Sequence, residues 1–231
     1  MSLAGTGVVA IWHDLLPEAK NDFNEWHNRE HMPERVGIPG FRRGRRYIAV
    51  SGGRPEYFNL YEADSPEVLG GQDYLNRLNS PTDWTKRVVP SFRNVARSIC
   101  RVPFTSGVGS GGTMLTMRFD IAAALTDHAS AIGALAGRIL PPISLRNGVS
   151  GVHLCIANEA ISKVETNEKK ARADTTLVPT WIILIEGNAV ADVRAAEDAL
   201  LSQWAQLGAT VPESAAYALE FTRLKTPWSA G

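Results

Sequence analysis

The chain has 231 residues, 44% of them hydrophobic and 21% charged, and its 24 basic and 24 acidic side chains give a formal net charge of zero. This length and composition are typical of a globular protein with a proper core, long enough for two compact domains. A zero net charge gives no reason to expect nucleic acid or an anionic membrane as a partner. We therefore expect a small hydrophobic or aromatic molecule as the partner.

Two further features concern location and cofactors. Cys100 and Cys155 are too few for a disulfide scaffold and lack metal-ligand spacing. The stretch MSLAGTGVVAIWHD has no basic region followed by a long apolar one, and no apolar run reaches bilayer length. We expect a cytoplasmic protein with no cofactor.

The first half of the chain predicts the element order βαββαβ. The β-branched segment GVVAIWHDL is followed by Pro17 and a helical pattern through about Glu34. Two strands follow, FRRGRRYIAV and PEYFNLYEA, and then a helix that begins near Ser65 and a closing strand, FRNVARSICRVPF. This is the order of the ferredoxin-like unit, a four-stranded antiparallel sheet with two helices on one face.

The same order of elements returns in the second half. We predict a first domain at 1–104 that carries the candidate site, a Gly-rich linker at 105–111 and a second ferredoxin-like domain at 112–231. The linker region matches G-x-G-x-x-G, but a strand pattern follows it, where a dinucleotide site needs a helix. A polar insertion at about 159–177 is expected to be a surface loop or an added helix.

One stretch carries a resemblance to a known family. WHNREHMPERVGIPGFRRGRRY, residues 26–47, resembles the dimeric α/β-barrel superfamily, which includes muconolactone isomerases, cofactor-free monooxygenases and haem-degrading enzymes. There the ferredoxin-like unit is usually a single domain that dimerises. The resemblance implies an α+β fold whose two tandem units pack their sheets into an intrachain, pseudo-dimeric barrel, with a homodimer of whole chains as a further option.

The first helix carries the candidate site. Ala19, Phe23, Trp26, His27, Glu30 and His31 fall on one stripe at i, i+3, i+4 spacing, and the two aromatic residues mark the side facing the sheet. A buried polar group without a partner costs about 1 to 3 kcal/mol, so it needs a partner or a cavity. Two interpretations stay open: the histidines bond to carbonyls or to Glu30 and Glu34, or they line a pocket.

A metal site has weaker support. HNREH fits the inverted zinc-protease pattern H-x-x-E-H, in which both histidines bind zinc. The predicted ferredoxin-like unit is the wrong context for that pattern, and no downstream acidic ligand can be picked out. We therefore expect no metal.

Neighbouring strands offer walls for a pocket. Large aromatic side chains suit an aromatic ligand, and the planar fork of an arginine suits a carboxylate. The predicted substrate-binding residues are Trp12, Phe23, Trp26, Arg45, Tyr47 and Tyr61.

The second repeat lacks both histidines. Aligning Asp14 with Asp120 pairs them with Gly133 and Gly137, and aligning Pro33 with Pro141 pairs them with Leu135 and Ile139. We therefore expect the site in the first repeat only.

The sequence predicts a small-molecule site between the first helix and the first sheet. The expected function is an enzyme of isomerase, lyase or cofactor-free oxygenase type, with His31 as general acid or base and His27 or Glu30 orienting it. The alternatives are a non-catalytic small-ligand or haem-binding protein and a structural paralogue with a filled pocket.

Overall fold

Eight strands form a closed barrel in the computed structural model, which describes residues 3–121 and 128–225. Their order round the barrel is first, third, second, eighth, fifth, seventh, sixth, fourth, and all neighbours pair antiparallel. The strands are β1 (Gly7–Leu15), β2 (Phe41–Ala49), β3 (Tyr57–Ala63), β4 (Phe92–Gly107), β5 (Thr113–Phe119), β6 (Val149–Ala157), β7 (Trp181–Gly187) and β8 (Glu213–Leu224).

Each half of the chain contributes one four-stranded sheet. The first half has the order β4-β1-β3-β2, and the second has the matching order β8-β5-β7-β6. The two sheets join at both edges, where β2 pairs with β8 and β4 pairs with β6. Each sheet thereby covers the open face of the other. The predicted fold, two tandem ferredoxin-like units closed into an intrachain barrel, is confirmed.

The barrel interior is a packed core with a charged group at one end. Its apolar part includes Trp12, Tyr47 and Phe58, with both free cysteines. At the end where β1 begins, buried Arg45 donates to Glu62 of the first half (3.0 Å) and to Glu186 of the second (2.8 and 3.1 Å). This ion network ties the halves together.

Helices cover the outside of the barrel. None of them, within the ranges that the structure describes, is long and apolar enough to cross a membrane. The α-helices are α1 (Lys20–Trp26), α2 (Met32–Gly37), α3 (Pro66–Gly70), α4 (Gln72–Asn79), α5 (Asp83–Val88), α6 (His128–Ala134), α7 (Leu140–Ser144), α8 (Glu159–Ser162), α9 (Asn167–Lys170) and α10 (Val190–Leu201).

The first helix of each repeat contains a π-helical turn. His27–His31 joins α1 to α2, and Leu135–Ile139 joins α6 to α7. A proline follows each turn, Pro33 and Pro141, and lacks the N–H that a regular helix would use. A wider turn accommodates the missing bond and the ring, so Pro33 does not end the helix, which runs on to Gly37.

The predicted linker boundary needs a correction. β4 extends to Gly107, which pairs with Gly151 of β6, so residues 105–107 are strand. The physical reason is closure of the barrel: β4 pairs with β1 along its first part and must continue to reach β6.

The insertion, residues 159–177, contains α8 and α9 and packs on the first repeat, although it follows β6 of the second. Asn158 N–H donates to Ile99 O at 2.7 Å, and Ile99 N–H donates to Ser162 Oγ at 2.9 Å. At its far end, Leu177 N–H donates to Val95 O at 2.9 Å. The segment thus contains two short added helices, and these hydrogen bonds hold it against the first repeat.

Candidate functional site

The inner side of the first helix packs an aromatic layer against the first sheet. Phe23, Trp26, His27 and His31 are buried there. The ring centroids of Trp26 and His31 lie 4.2 Å apart, and those of Phe23 and His27 lie 5.1 Å apart. The predicted inward stripe thus places both histidines between helix and sheet.

Hydrogen bonds fix the protonation of His27. Arg46 Nη1 lies 3.2 Å from His27 Nδ1, and a guanidinium only donates, so Nδ1 accepts. The proton of the neutral ring is therefore on Nε2, which donates to the Tyr61 hydroxyl oxygen at 3.1 Å. This leaves the Tyr61 O–H free to donate toward the space beside it.

A second chain of hydrogen bonds orients Asn59. His13 Nδ1 lies 3.3 Å from the carbonyl oxygen of Asp14, which can only accept, so His13 Nε2 accepts from Asn59 Nδ2 at 3.0 Å. The amide oxygen of Asn59 then points away from His13. It is buried and has no hydrogen-bond partner.

These side chains surround a small cavity between α1, the π turn and the sheet. Its volume is about 20 Å³, which is enough for about one water molecule. Three lining residues each have a buried polar atom without a hydrogen-bond partner: His31 Nδ1, Asn59 Oδ1 and Arg172 Nε. The cavity wall is completed by Ile11, Trp26, His27, Tyr61, Val89, Phe92 and Glu168.

The insertion supplies one side of the cavity. Arg172 Nη1 donates to Thr176 Oγ1 at 3.2 Å, and its Nη2 lies 3.9 Å from Glu168 Oε1. Glu168 also forms an ion pair with Arg35 of α2, and both side chains are buried. The site is therefore built from both halves of the chain.

Burial keeps the histidines neutral. It lowers the pKa of His13 to about 3, with nearby Arg172 and Arg46 adding to the effect. It also lowers the pKa of His27 and of His31 well below the ordinary value, again with help from neighbouring guanidinium groups. Each ring therefore enters any chemistry at neutral pH as a hydrogen-bonding group or a proton acceptor.

Four predicted site residues lie away from this cavity. Glu30 is half-buried and accepts a hydrogen bond from Thr82 Oγ1 at 2.5 Å, so it does not orient His31. Trp12, Arg45 and Tyr47 point into the barrel, on the opposite face of the sheet. The predicted residues therefore do not form a single pocket. Trp26, His27, His31 and Tyr61 line the cavity, Phe23 packs against His27 beside it, and the other four lie elsewhere.

Two polar residues of the cavity, Asn59 and Arg172, are not among the predicted site residues. Asn59 shares a strand face with Tyr61, and that alternation is a usable signal. Arg172 has no such signal, because it lies in an insertion far along the chain and reaches the cavity only in the folded protein.

Neither a metal nor haem fits the residues present. Both ring nitrogens of His27 are engaged, and within the described ranges no three His, Cys, Asp or Glu side chains form a metal site. Haem would need a far greater enlargement of this cavity of about 20 Å³ than a small aromatic compound does. The matching layer of the second repeat is filled by apolar side chains, including Leu135, Ile139 and Trp181.

A wider groove lies at the end of the barrel where β1 ends. Its volume is about 620 Å³, and its lining includes Asn94, Arg118, Asp174 and Leu177. Arg118 donates to Glu213 at 2.6 Å. The unpartnered atoms of His31, Asn59 and Arg172 single out the smaller cavity as the candidate site.

No protein-family model matches this chain, and no curated protein does. Solved structures do match. A candidate monooxygenase of Fusobacterium nucleatum has a TM-score of 0.61 at 9% identity, covering 96% of each chain. An anthrone oxidase-like protein has a TM-score of 0.61 at 13% identity, covering 97% of this chain and 95% of its own. A candidate chlorite dismutase has a TM-score of 0.56 at 9% identity, covering 94% and 96%.

At these identities the likeness concerns the fold. The match extends over both ferredoxin-like units of this chain and nearly the whole of each neighbouring chain, so the neighbours share its α/β-barrel architecture. The resemblance read from residues 26–47 is confirmed at that level.

Proposed function

We propose that this chain is an enzyme that removes a proton from a small hydrophobic or aromatic compound bound between the first helix and the first sheet, with His31 as the base. The observation that carries the proposal is the cavity with His31 Nδ1 and Asn59 Oδ1 buried and without partners. Leaving such a buried atom without a hydrogen-bond partner lowers the stability of the folded protein by about 1 to 3 kcal/mol. A ligand with matching groups recovers that cost, which is typical of a binding site.

Each polar side chain has a role in this proposal. His31 is neutral and accepts the proton at Nδ1, the unpartnered nitrogen. His27 holds the Tyr61 hydroxyl so that its proton is available to the ligand. Isomerase, lyase and cofactor-free oxygenase reactions share this first step, in which a base takes a proton and leaves a stabilised anion.

The names of the structural neighbours favour the oxygenase type. One is a candidate monooxygenase and another is anthrone oxidase-like. For anthrone the balanced reaction consumes one dioxygen and gives anthraquinone and one water. Dioxygen is then the oxidant, and the protein supplies the base and the hydrogen bonds.

The cavity must enlarge to admit an aromatic ring, because its volume of about 20 Å³ suits one water molecule. The wall that can move is the insertion, whose helices α8 and α9 have four residues each. Short elements of this kind open at low free-energy cost compared with barrel strands.

The test measures proton removal directly. Anthrone and a panel of small carbonyl compounds with an acidic C–H bond are incubated in D₂O without oxygen, and exchange at that carbon is followed by NMR. We expect the parent protein to accelerate exchange and His31→Gln to lose about 10² to 10⁴-fold of that rate. His128→Gln, which removes an exposed histidine of the second repeat, is the matched control and should keep the parent rate.

Oxygen uptake in air then separates the reaction types. Uptake with quinone formation supports the oxygenase type, and exchange without uptake supports an isomerase or lyase. A parent protein that binds panel compounds but exchanges none of them is a non-catalytic binder, and the enzyme proposal fails. Equal rates for the parent and His31→Gln remove His31 from the role of base.

A further inference from the structure

Arg172 is a buried cation whose hydrogen-bond donors and charge are only partly paired within the protein. Its side chain is 7% exposed and lines the cavity, and its buried Nε has no hydrogen-bond partner. Its Nη2 lies 3.9 Å from Oε1 of Glu168, and the Glu168 carboxylate also pairs with Arg35. An arginine held in this way has both a free donor and uncompensated charge to offer a ligand.

The surroundings of the cavity carry more positive than negative charge. Buried Arg35 and Arg172 both pair with the Glu168 carboxylate, Arg35 also pairs with Glu34, and the charge of buried Arg97 acts on Arg172. Glu34 is further shared with the exposed Arg77 at 2.9 Å. Arg97 donates to the hydroxyl of Tyr74 at 3.0 Å.

The pKa of Arg172 reflects its burial first and the neighbouring charges second. Burial, together with the charges of Arg97 and Arg35, lowers it to about 10, although Glu168 acts in the opposite direction. An arginine stays protonated at neutral pH even so. A negative charge brought into the cavity would therefore be stabilised.

The four polar groups at the cavity define what fits there. Arg172 Nε–H and Tyr61 O–H are donors, Asn59 Oδ1 is an acceptor, and His31 Nδ1 is an acceptor in the neutral tautomer that carries its proton on Nε2. A hydroxyl oxygen matches this set: it accepts from the two donors and gives its proton to an acceptor. When the proton passes to His31, the O–H bond breaks and its electron pair remains on the oxygen, which both donors still bind.

We propose that Arg172, brought by the insertion of the second repeat, selects the ligand by binding an acidic hydroxyl as its oxyanion. The inference rests on the proposed function, in which His31 is the base. It adds a separate residue, Arg172, and a separate requirement: the ligand must have an oxygen that bears negative charge when bound. Specificity of the first repeat's site thereby depends on a segment that belongs to the second repeat.

The test uses bromide, a spherical anion that accepts hydrogen bonds and can be located in a crystal by anomalous scattering. Crystals of the parent protein in sodium bromide should show an anomalous peak beside Arg172 Nε and Tyr61 Oη. In solution, bromide should raise the melting temperature of the parent relative to that of Arg172→Gln in the same sodium bromide solutions, a comparison that removes the general effect of the salt on stability.

Two variants complete the experiment. Arg172→Gln should weaken bromide affinity at least tenfold, whereas Lys170→Gln, which removes an exposed positive charge from the same insertion, should match the parent. No peak in the parent, or equal bromide affinity in Arg172→Gln, overturns the inference. The parent crystal keeps the test decisive even where Arg172→Gln does not fold.

The outcomes also separate the two proposals. The parent protein can catalyse proton exchange while Arg172→Gln binds bromide with unchanged affinity. That result overturns the role of Arg172 and leaves the proposed function standing. Bromide binding that depends on Arg172, without proton exchange, supports the anion site and overturns the enzyme.

Discussion

His27 and His31 in the first repeat occupy the positions that Leu135 and Ile139 occupy in the second, because both pairs bound a five-residue π turn. The first pair lines a cavity with unpartnered polar atoms, and the second pair belongs to a continuous apolar core. Of the two alignments of the repeats, the structure selects the one that pairs Pro33 with Pro141.

This difference separates what the fold requires from what a function requires. The π turn and its proline occur in both repeats, so they belong to the fold. The two π-turn histidines, Asn59 and the covering insertion occur only at the first repeat's helix, and an apolar core would pack there without unpaired polar atoms. The polar set is a feature that stability does not explain.

The largest expected loss of stability comes from a substitution that makes the first helix of the first repeat resemble its counterpart in the second repeat. Trp26 precedes the π turn in the first repeat, and Ala134 holds that position in the second. Trp26 is buried, with its Nε1–H donating to Thr85 Oγ1 at 3.2 Å. Trp26→Ala should therefore cost about 3 to 5 kcal/mol in the free energy of unfolding, measured by denaturant titration.

Trp84→Ala is the matched control for that variant. Trp84 is only half-buried and donates to Asp22 at 2.9 Å near the surface. We expect it to cost clearly less than Trp26→Ala. Equal losses would mean that the layer around Trp26 is not the well-packed core that the structure describes.

The sequence predicts the buried layer well and the rest of the site poorly. The 3.6-residue period identifies Phe23, Trp26, His27 and His31 as inward, and all are buried. Strand alternation shows which residues share a face but not which face meets the helices, so Arg45 was assigned to the wrong side of the sheet.

Long-range contacts explain the remaining gap. Arg172 and Glu168 reach the cavity through an insertion that crosses from one repeat to the other, and one sequence carries no periodic signal for such a contact. The closed barrel was predictable for the opposite reason: a repeated local pattern and two open sheet faces that need covering.

A second, smaller effect is expected from acid. His13, His27 and His31 have lowered pKa values in the folded protein, so the unfolded chain binds more protons below its histidine pKa of about 6.5. Their stabilising contribution is complete above about pH 6.5 and is lost as the pH falls. Together they should lower the free energy of unfolding by about 2 to 3 kcal/mol between about pH 8 and pH 6.

Denaturant titrations across this pH range check the expectation. His31→Gln should remove about a third of the acid-dependent loss, since one of three groups is gone. Ile139→Val, at the matching position of the second repeat, should lower stability at every pH without changing the slope. A slope that is the same in His31→Gln and the parent would show that His31 does not stay neutral in the folded protein.

The smallest effect on stability should come from His31→Ala, even though it alters the candidate site most directly. Its Nδ1 has no hydrogen-bond partner, so truncation leaves no other group unpaired, and its ring already borders a cavity. The variant should therefore lose about 1 kcal/mol or less in the free energy of unfolding. Ile139→Ala empties a packed apolar position at the same point of the second helix and should cost about 2 to 5 kcal/mol. Denaturant titration of the two variants measures this contrast directly. If His31→Ala were as destabilising as Ile139→Ala, with proton exchange unchanged, the histidine would be a core residue like its counterpart, and the two repeats would differ in composition but not in role.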